Sequence, residues 1–363
     1  MHVLVAPDSF GGTLTAVEAA TAIAEGWRRR SPDDALTLLP MSDGGPGFVD
    51  VLHASLGGQL LPVPVIDHYG AQTPTVVLRL EDTAYVEAAQ ACGLHLSSRR
   101  DPELATSYGV GQLISAAIDD GARTIVVGVG GLATNDGGAG LLAALGASAA
   151  PAEALTGGPH VLEVLDSVEL GSARERCAEV ALLIASDVDT PLLGLRGTTN
   201  LYGVDKGLGE DRLQRVDAQL ERLALATDRG AALGKGAGAG GGLGFALMLL
   251  GGSRVDGVAF VAEAVGLEGH ARSADLVVTG EGAFDFSSRS GKVPYGVARV
   301  AGQAIRPCIA LAGQVLVGSR EMRALGIESA YAVADLVGQD AAFAEPAASL
   351  GALAERVART WSH

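Results

Sequence analysis

The sequence predicts an α/β protein: a parallel-sheet domain built from both termini, with a second α/β domain of mixed sheet inserted between them. Three observations carry this reading. Short runs rich in Val, Leu and Ile alternate with Ala-rich amphipathic stretches along the 363 residues, the pattern of strands covered by helices on both faces. Between 63 and 88, three strand-like runs are separated only by the turn-like DHYGAQ and EDT, which reads as an antiparallel meander. Glycine, 51 residues in all, clusters in patches without a period, as tight turns require where backbone approaches backbone or ligand.

Taken in order, strands are expected over 2–6, 35–40, 63–66, 75–80, 84–88, 124–129, 180–185, 276–279, 308–312 and 329–333. Helices are expected over 16–30, 47–56, 106–120, 138–145, 211–225 and 292–303. The meander places one domain switch near 62, and the strong strand in ADLVVTGEG (274–282) places the return before it, near 265. Residues 1–62 and 266–363 then form the first, discontinuous domain, and 63–265 the insert. SDGGPG (42–47) and NDGGAG (135–140) echo each other, but each follows a strand and precedes a helix, so shared turn chemistry explains the likeness.

Composition narrows the function. With 48% hydrophobic and 19% charged residues the chain is not disordered, and aromatics at 4% leave Val, Leu, Ile and Ala to build the core. A net charge of −16 argues against nucleic acid and anionic membrane surfaces as partners. An anionic small molecule stays compatible, since a few local cations or helix N-termini can hold one. Cys92, Cys177 and Cys308 lie far apart with no CxxC, and no signal peptide is read at the N-terminus. The apolar run at 240–252 is short and Gly-rich for a membrane span. A cytoplasmic protein with reduced thiols is expected, and assembly as a homodimer is left open.

The acids give the chemistry. Asp8 follows HVLVAP, Asp43 follows LTLLPMS, Asp187 and Asp189 follow VALLIAS, Glu281 follows DLVVTG, and Asp136 comes shortly after TIVVGVGG. Singly, each reads as a cap on the next helix. Together, carboxylates on one sheet edge beside Gly-rich turns suit Mg²⁺, with phosphate cradled by backbone N–H groups. GVGGLATNDGGAG (128–140) is the richest of these turns. Gly128, Gly130 and Ala133 also make a loose GxGxxA, which keeps a nicotinamide-dependent oxidoreductase in view. There is no GxxxxGK[ST] loop, so a Walker-type kinase is excluded. GKGAGAGGGLG (234–244) reads equally as a packed turn or a ligand-approach loop. A lone lysine usually lies on solvated surface, but Lys206 and Lys292 each follow a small or acidic segment between strong strands, a setting that favours a phosphate contact somewhat, while the seven histidines share no spacing.

In order and spacing, VAPDSF (5–10), SDGG (42–45), GVGGLATNDGGAG, SDVDTPLLG (186–194), DKG (205–207), ADLVVTGEG and GKVPYGVA (291–298) resemble the motifs of the bacterial glycerate kinase family that lacks a Walker loop. The resemblance covers nearly the whole chain. It implies ATP- and Mg²⁺-dependent phosphorylation of D-glycerate, or a closely related small hydroxy acid, to a phosphoglycerate. It further implies a Rossmann-like domain joined to a second α/β domain, with the site in the cleft between them. Carried over, it implies Asp187, Asp189 and Lys292 as catalytic, and Asp8, Ser9, Asp43, Glu281 and Asp285 at the substrate. Gly130, Gly131, Asn135, Asp136, Gly137, Gly138 and Lys206 would hold phosphate and nucleotide, with Asp136 and Asp187 on the metal. The chain departs from the family pattern at Gly11, where lysine is usual, at Pro46 and Gln112, each replacing an acid, at Leu132, replacing serine, and at Ala283, replacing arginine. These departures motivate the alternative of a catalytically weakened, ligand-binding or regulatory homologue.

Overall fold

The computed structural model describes residues 1–285 and 292–362; Gly291 of the GKVPYGVA segment and the terminal His363 lie outside the described residues. The chain opens with β1 (His2–Val5) and β2 (Ala35–Leu38). It continues with β3 (Gln59–Ile66), β4 (Gln72–Leu80), β5 (Thr83–Glu87), β6 (Thr124–Gly128), β7 (Ser148–Ala150), β8 (Ser167–Glu169), β9 (Ala181–Ala185) and β10 (Ser253–Val255). It closes with β11 (Leu276–Phe284), β12 (Cys308–Val315) and β13 (Ser329–Ala332). These strands fall into two compact units.

The first unit holds Met1–Asp43, Asp50–Gly57 and the chain from Asp256 onward. Its sheet runs β13-β12-β11-β1-β2, every pair parallel. Val3, Leu4 and Val5 are fully buried, as strands of a sheet covered on both faces must be. The helix Ala16–Arg30 starts at a reciprocal cap, in which the Glu18 amide donates to Thr15 Oγ1 and the Thr15 amide donates to the Glu18 carboxylate. Its buried Ala19, Ile23 and Trp27 recur at helical spacing and join one core with Val5, Val278, Ile309 and Leu353. It packs on the helix Pro346–Trp361, and the two backbones meet at Gly26 and Gly351. A Cβ on Gly26 would stand 2.0 Å from the Gly351 carbonyl oxygen, so any side chain there forces the helices apart.

The second unit holds Gly44–Val49 and Gly58–Val255. Its main sheet runs β10-β9-β6-β5-β4-β3: parallel from β10 to β5, antiparallel from β5 to β3. The antiparallel end is the expected meander. A short antiparallel pair, β7-β8, stands apart. A separate core of Val86, Leu113, Ile125, Ile184, Leu220, Phe245 and their neighbours fills this unit.

Where the sequence places the domain switches near 62 and 265, the chain changes unit at 57/58 and 255/256, and Gly44–Val49 also joins the second unit. The physical reason is local. β3 already pairs with β4 from Gln59, and the helices Gly257–Ala264 and Leu267–Ser273 pack on the helix Val293–Gln303 of the first unit. The strands β7, β8 and β10 and the helix Pro346–Trp361 have no counterpart among the expected elements. Most of the Gly-rich segment 234–244 becomes a sharp turn, with Gly240, Gly241 and Gly242 at φ 61°, 71° and 99°, before a buried helix that runs to Leu249.

Candidate active site

The acids expected on one sheet edge belong to two sheets. Asp8, Asp43 and Glu281 stand at or near the carboxyl ends of β1, β2 and β11 in the first unit, while Asp136, Asp187 and Asp189 follow β6 and β9 in the second. The single edge expected from the sequence is therefore corrected. Strand order depends on long-range pairing that no local run of residues reveals.

In the first unit, β1, β11 and β2 are adjacent and parallel, so their ends bring the three acids together. Asp8 is half-buried, and its Oδ1 accepts the Ser9 amide at 2.7 Å. Desolvation holds its carboxyl well above the usual carboxylate range, and the Asp43 and Glu281 charges add to this, against the Ser9 amide and Lys292. Glu281 is 5% exposed. Lys292, at the N-terminal cap of the helix Val293–Gln303, brings its Nζ 3.8 Å from the Glu281 carboxylate. Ser9 and Asp285 are half-buried beside these groups in sequence. Gly11 and Ala283, by contrast, border a cavity whose lining, among the described residues, holds no charged side chain.

In the second unit, a cavity of about 230 Å³ is lined by Gly130, Gly131, Tyr202, Gly241 and their neighbours, with one cation, Lys206, and one carboxylate, Asp205. Lys206 is 7% exposed, and its Nζ donates to the Thr134 carbonyl at 2.6 Å. Burial lowers its pKa to about 8, against the attraction of Asp136. Gly241 makes room for this ammonium: a Cβ there would lie 1.9 Å from Thr134 O and 2.8 Å from Lys206 Nζ. Thr134 Oγ1, Asn135 Oδ1 and Thr198 Oγ1 are buried without a hydrogen-bond partner among the described residues, while Asn135 Nδ2 donates to Thr199 Oγ1 at 2.9 Å. The two threonine hydroxyls can donate, whereas Asn135 Oδ1 can only accept, and none of these three residues lines the cavity; what the cavity itself offers an anion is the Lys206 ammonium and a run of glycine backbone.

Other expected residues do different work. Asp136 is wholly buried; its Oδ2 accepts the Ser107 amide and hydroxyl at 2.8 Å each and the Gly140 amide at 3.2 Å, and its Oδ1 accepts the Gly138 amide at 3.0 Å. Burial nevertheless raises its pKa, outweighing these donors. Such a carboxylate, wholly buried and met by four donors, ties two helix starts together. Gly137 and Gly138 pack against Leu223 and Ala246, away from the cavity lining. Gly130 and Gly131 line the cavity, yet they also lie against Gly45 and Pro46, where a Cβ would come within 2.8 Å. Asp189 is 55% exposed at its side chain and is held by Lys235 at 2.9 Å and Arg254 at 2.8 Å, so both its oxygens are engaged by cations. Asp187 is half-buried, one residue before the cavity-lining Val188. Among the described residues, no group of three His, Cys, Asp or Glu side chains is placed to hold a metal ion.

Sequence reasoning passes over Ser107, Thr134, Thr198 and Thr199, which complete the buried polar cluster. Ser107 alone leaves a local trace, as the residue before the helix Tyr108–Asp119. Glu87 is a further addition: its carboxylate accepts the Gly47 and Val49 amides at 3.0 and 3.1 Å, holding the start of the helix Phe48–Leu56. Gln112 accepts the Ile66 amide at 2.9 Å, binding its helix to β3.

A model of the glycerate kinase family matches residues 3–362. The glycerate kinase of Bacillus subtilis is 36% identical over 346 residues, with 92% of this chain and 90% of the relative covered. The glycerate 2-kinase of Escherichia coli K12 is 35% identical, with 93% and 92% covered. Among solved structures, a protein described as glycerate kinase 2 from Salmonella typhimurium LT2 superimposes with a TM-score of 0.80 at 34% identity, covering 99% of this chain and 98% of that one. These relatives set the class of the molecule: a phosphotransferase, which sets aside the nicotinamide reading of the GxGxxA match. Matched along nearly its whole length, the chain belongs to the glycerate kinase family. None of its described helices is long and apolar enough to cross a membrane.

Proposed function

We propose that the chain transfers the γ-phosphoryl group of ATP, with Mg²⁺, to a hydroxyl of D-glycerate or a closely related small hydroxy acid, in the cytoplasm. The observation that carries the reading is the buried Lys206 ammonium in a glycine-lined cavity. Phosphoryl transfer needs little covalent help from the protein; positioning and charge stabilisation do most of the work. Lys206 and the backbone of Gly130 and Gly131 would hold phosphoryl oxygens. Asp187 is the acid proposed for Mg²⁺: it is partly exposed beside the cavity, and a hard oxygen donor suits that ion, which favours one or two carboxylates plus phosphates. Once bound, the ion would neutralise charge on the phosphoryl oxygens.

The proton of the attacking hydroxyl is assigned to Asp8. A carboxylate whose basicity is raised by burial and by neighbouring acids is a better acceptor than one engaged by two cations, as Asp189 is. Lys292 offers its charge to the carboxylate of the acceptor acid, with Ser9, Asp43, Glu281 and Asp285 around it. Three buried free thiols support the cytoplasm as the compartment. The test is ADP formation by the purified protein over a panel of small hydroxy acids, including both glycerate enantiomers, with Mg²⁺ or with excess EDTA. The expected result is turnover with D-glycerate that EDTA abolishes. Turnover undiminished by EDTA, or absent for every acid, contradicts the reading.

A further inference from the structure

We infer that the first unit carries a pocket for the heterocyclic base of the nucleotide donor, at the carboxyl ends of β11, β12 and β13; this rests on the phosphoryl-transfer reading and adds where the donor's base is held. A cavity of about 290 Å³ lies there, near the low end of the roughly 300–1,000 Å³ of small-molecule pockets. The strand order β2-β1-β11-β12-β13 reverses direction between β1 and β11. In open parallel sheets, ligands bind outside the carboxyl ends at such a switch. The cavity wall begins at this point, with Phe10 in the turn after β1 and Gly282 in β11, one residue beyond Glu281.

The lining selects the chemistry. Among the described residues it includes no Asp, Glu, Lys, Arg or His. A carboxylate or phosphate entering it would lose hydration and meet no cation in return. Phe10, Val333, Phe343 and Leu350 supply apolar surface, and Gln314 and Gln339 supply two primary amides. A saturated tail would match the first set and leave the second unused. A purine or pyrimidine uses both: its flat faces are apolar, and its edge alternates donors and acceptors, as a primary amide does. Phe343 is 61% exposed, a large ring presented to solvent beside the cavity, and an aromatic face is a sequence-tolerant stacking partner for any base. Thr13, the remaining polar lining residue, donates its hydroxyl to Phe10 O at 2.5 Å and is committed to the turn.

The experiment is calorimetric titration of wild type, Phe343→Ala and Gln314→Ala with ATP, GTP and inorganic tripolyphosphate, each with Mg²⁺. Tripolyphosphate carries the charge of the donor without its base. The expected result is that Phe343→Ala weakens ATP about tenfold, the value of one lost stacking contact, while tripolyphosphate changes less than twofold. Gln314→Ala should shift the ATP:GTP affinity ratio by at least about fivefold, because it removes a group that reads the base edge. Equal weakening of ATP and tripolyphosphate, or no change with either variant, overturns the pocket. So does a rise in KM for the hydroxy acid with ATP affinity intact, which would give the cavity to the acceptor instead. These titrations need no turnover, so a wild type that binds ATP but does not phosphorylate glycerate would refute the acceptor while still reading the base pocket.

Discussion

Asp8 in the first unit and Asp136 in the second are alike in one respect: each has a carboxyl whose proton affinity is raised by burial. They differ in what faces them. Asp136 is met by three amides and a hydroxyl, which take up its oxygens and fix the starts of two helices. Asp8 is met by Asp43 and Glu281, with Lys292 as the opposing charge and a single amide on its own turn. A perturbed carboxyl is therefore not by itself a sign of chemistry. Donors around a carboxylate make a structural joint, whereas acids around it store a tendency to take up a proton, which a reaction can use.

The comparison breaks most readily at Asp136. Asp136→Ala strands buried donors from Ser107, Gly138 and Gly140, and each buried group left unmatched costs about 1–3 kcal/mol. A loss of more than about 3 kcal/mol in urea unfolding is expected; a loss below about 1 kcal/mol would mean that the joint is dispensable.

A smaller effect of opposite sign is expected at Lys206, whose ammonium is buried near Asp136. Its folded pKa of about 8 lies below its ordinary 10.5, so between these values the unfolded chain binds more protons and stability rises with pH. Below about pH 8 the full burden of the buried charge is present. Lys206→Met should remove this slope and stabilise the fold at pH 7 by about 2 kcal/mol, the desolvation relieved less one hydrogen bond. Anion affinity should fall at least about tenfold in the same variant, and in wild type it should decline as pH passes 8. Unfolding curves from pH 7 to 10.5 that superimpose for wild type and variant would contradict this.

The smallest change in stability is expected at Asp8. A carboxyl held above its ordinary value makes the folded chain bind more protons than the unfolded one. Stability contributed by this group is then present below the ordinary carboxylate pKa and lost as pH rises through the raised one. At neutral pH, Asp8→Asn should leave the melting temperature unchanged or slightly higher. A clear drop would make Asp8 a structural residue like Asp136.

Local signals carried much of this architecture. Apolar runs followed by an acid marked β1, β2, β6, β9 and β11, with glycine beside the acid after β2, β6 and in β11, and the capping pair Thr15 and Glu18 lies at the start of a helix whose range agrees with the expectation. Lys206 stood out only as a lysine beside small residues; its burial depends on Thr134, distant in sequence, and on the turn through Gly241. The donors that occupy Asp136 come partly from Ser107, and the cations that hold Asp189 from Lys235 and Arg254. Spacing along the chain cannot show which acid is covered by donors and which by other acids, because that is decided by strand order and by side chains brought in from elsewhere. The base pocket was equally hidden, since Phe10, Gln314 and Phe343 share no motif.

The most direct test of the account is the kcat/KM of Asp8→Asn for D-glycerate, measured on protein whose melting temperature equals that of wild type. The amide keeps the shape of the carboxylate and cannot accept the hydroxyl proton. The account predicts a loss of about 10²–10⁴-fold, the usual contribution of a positioned general base. A kcat/KM within a few-fold of wild type would contradict it, and would leave the acids at the ends of β1, β2 and β11 as a structural feature of the sheet edge.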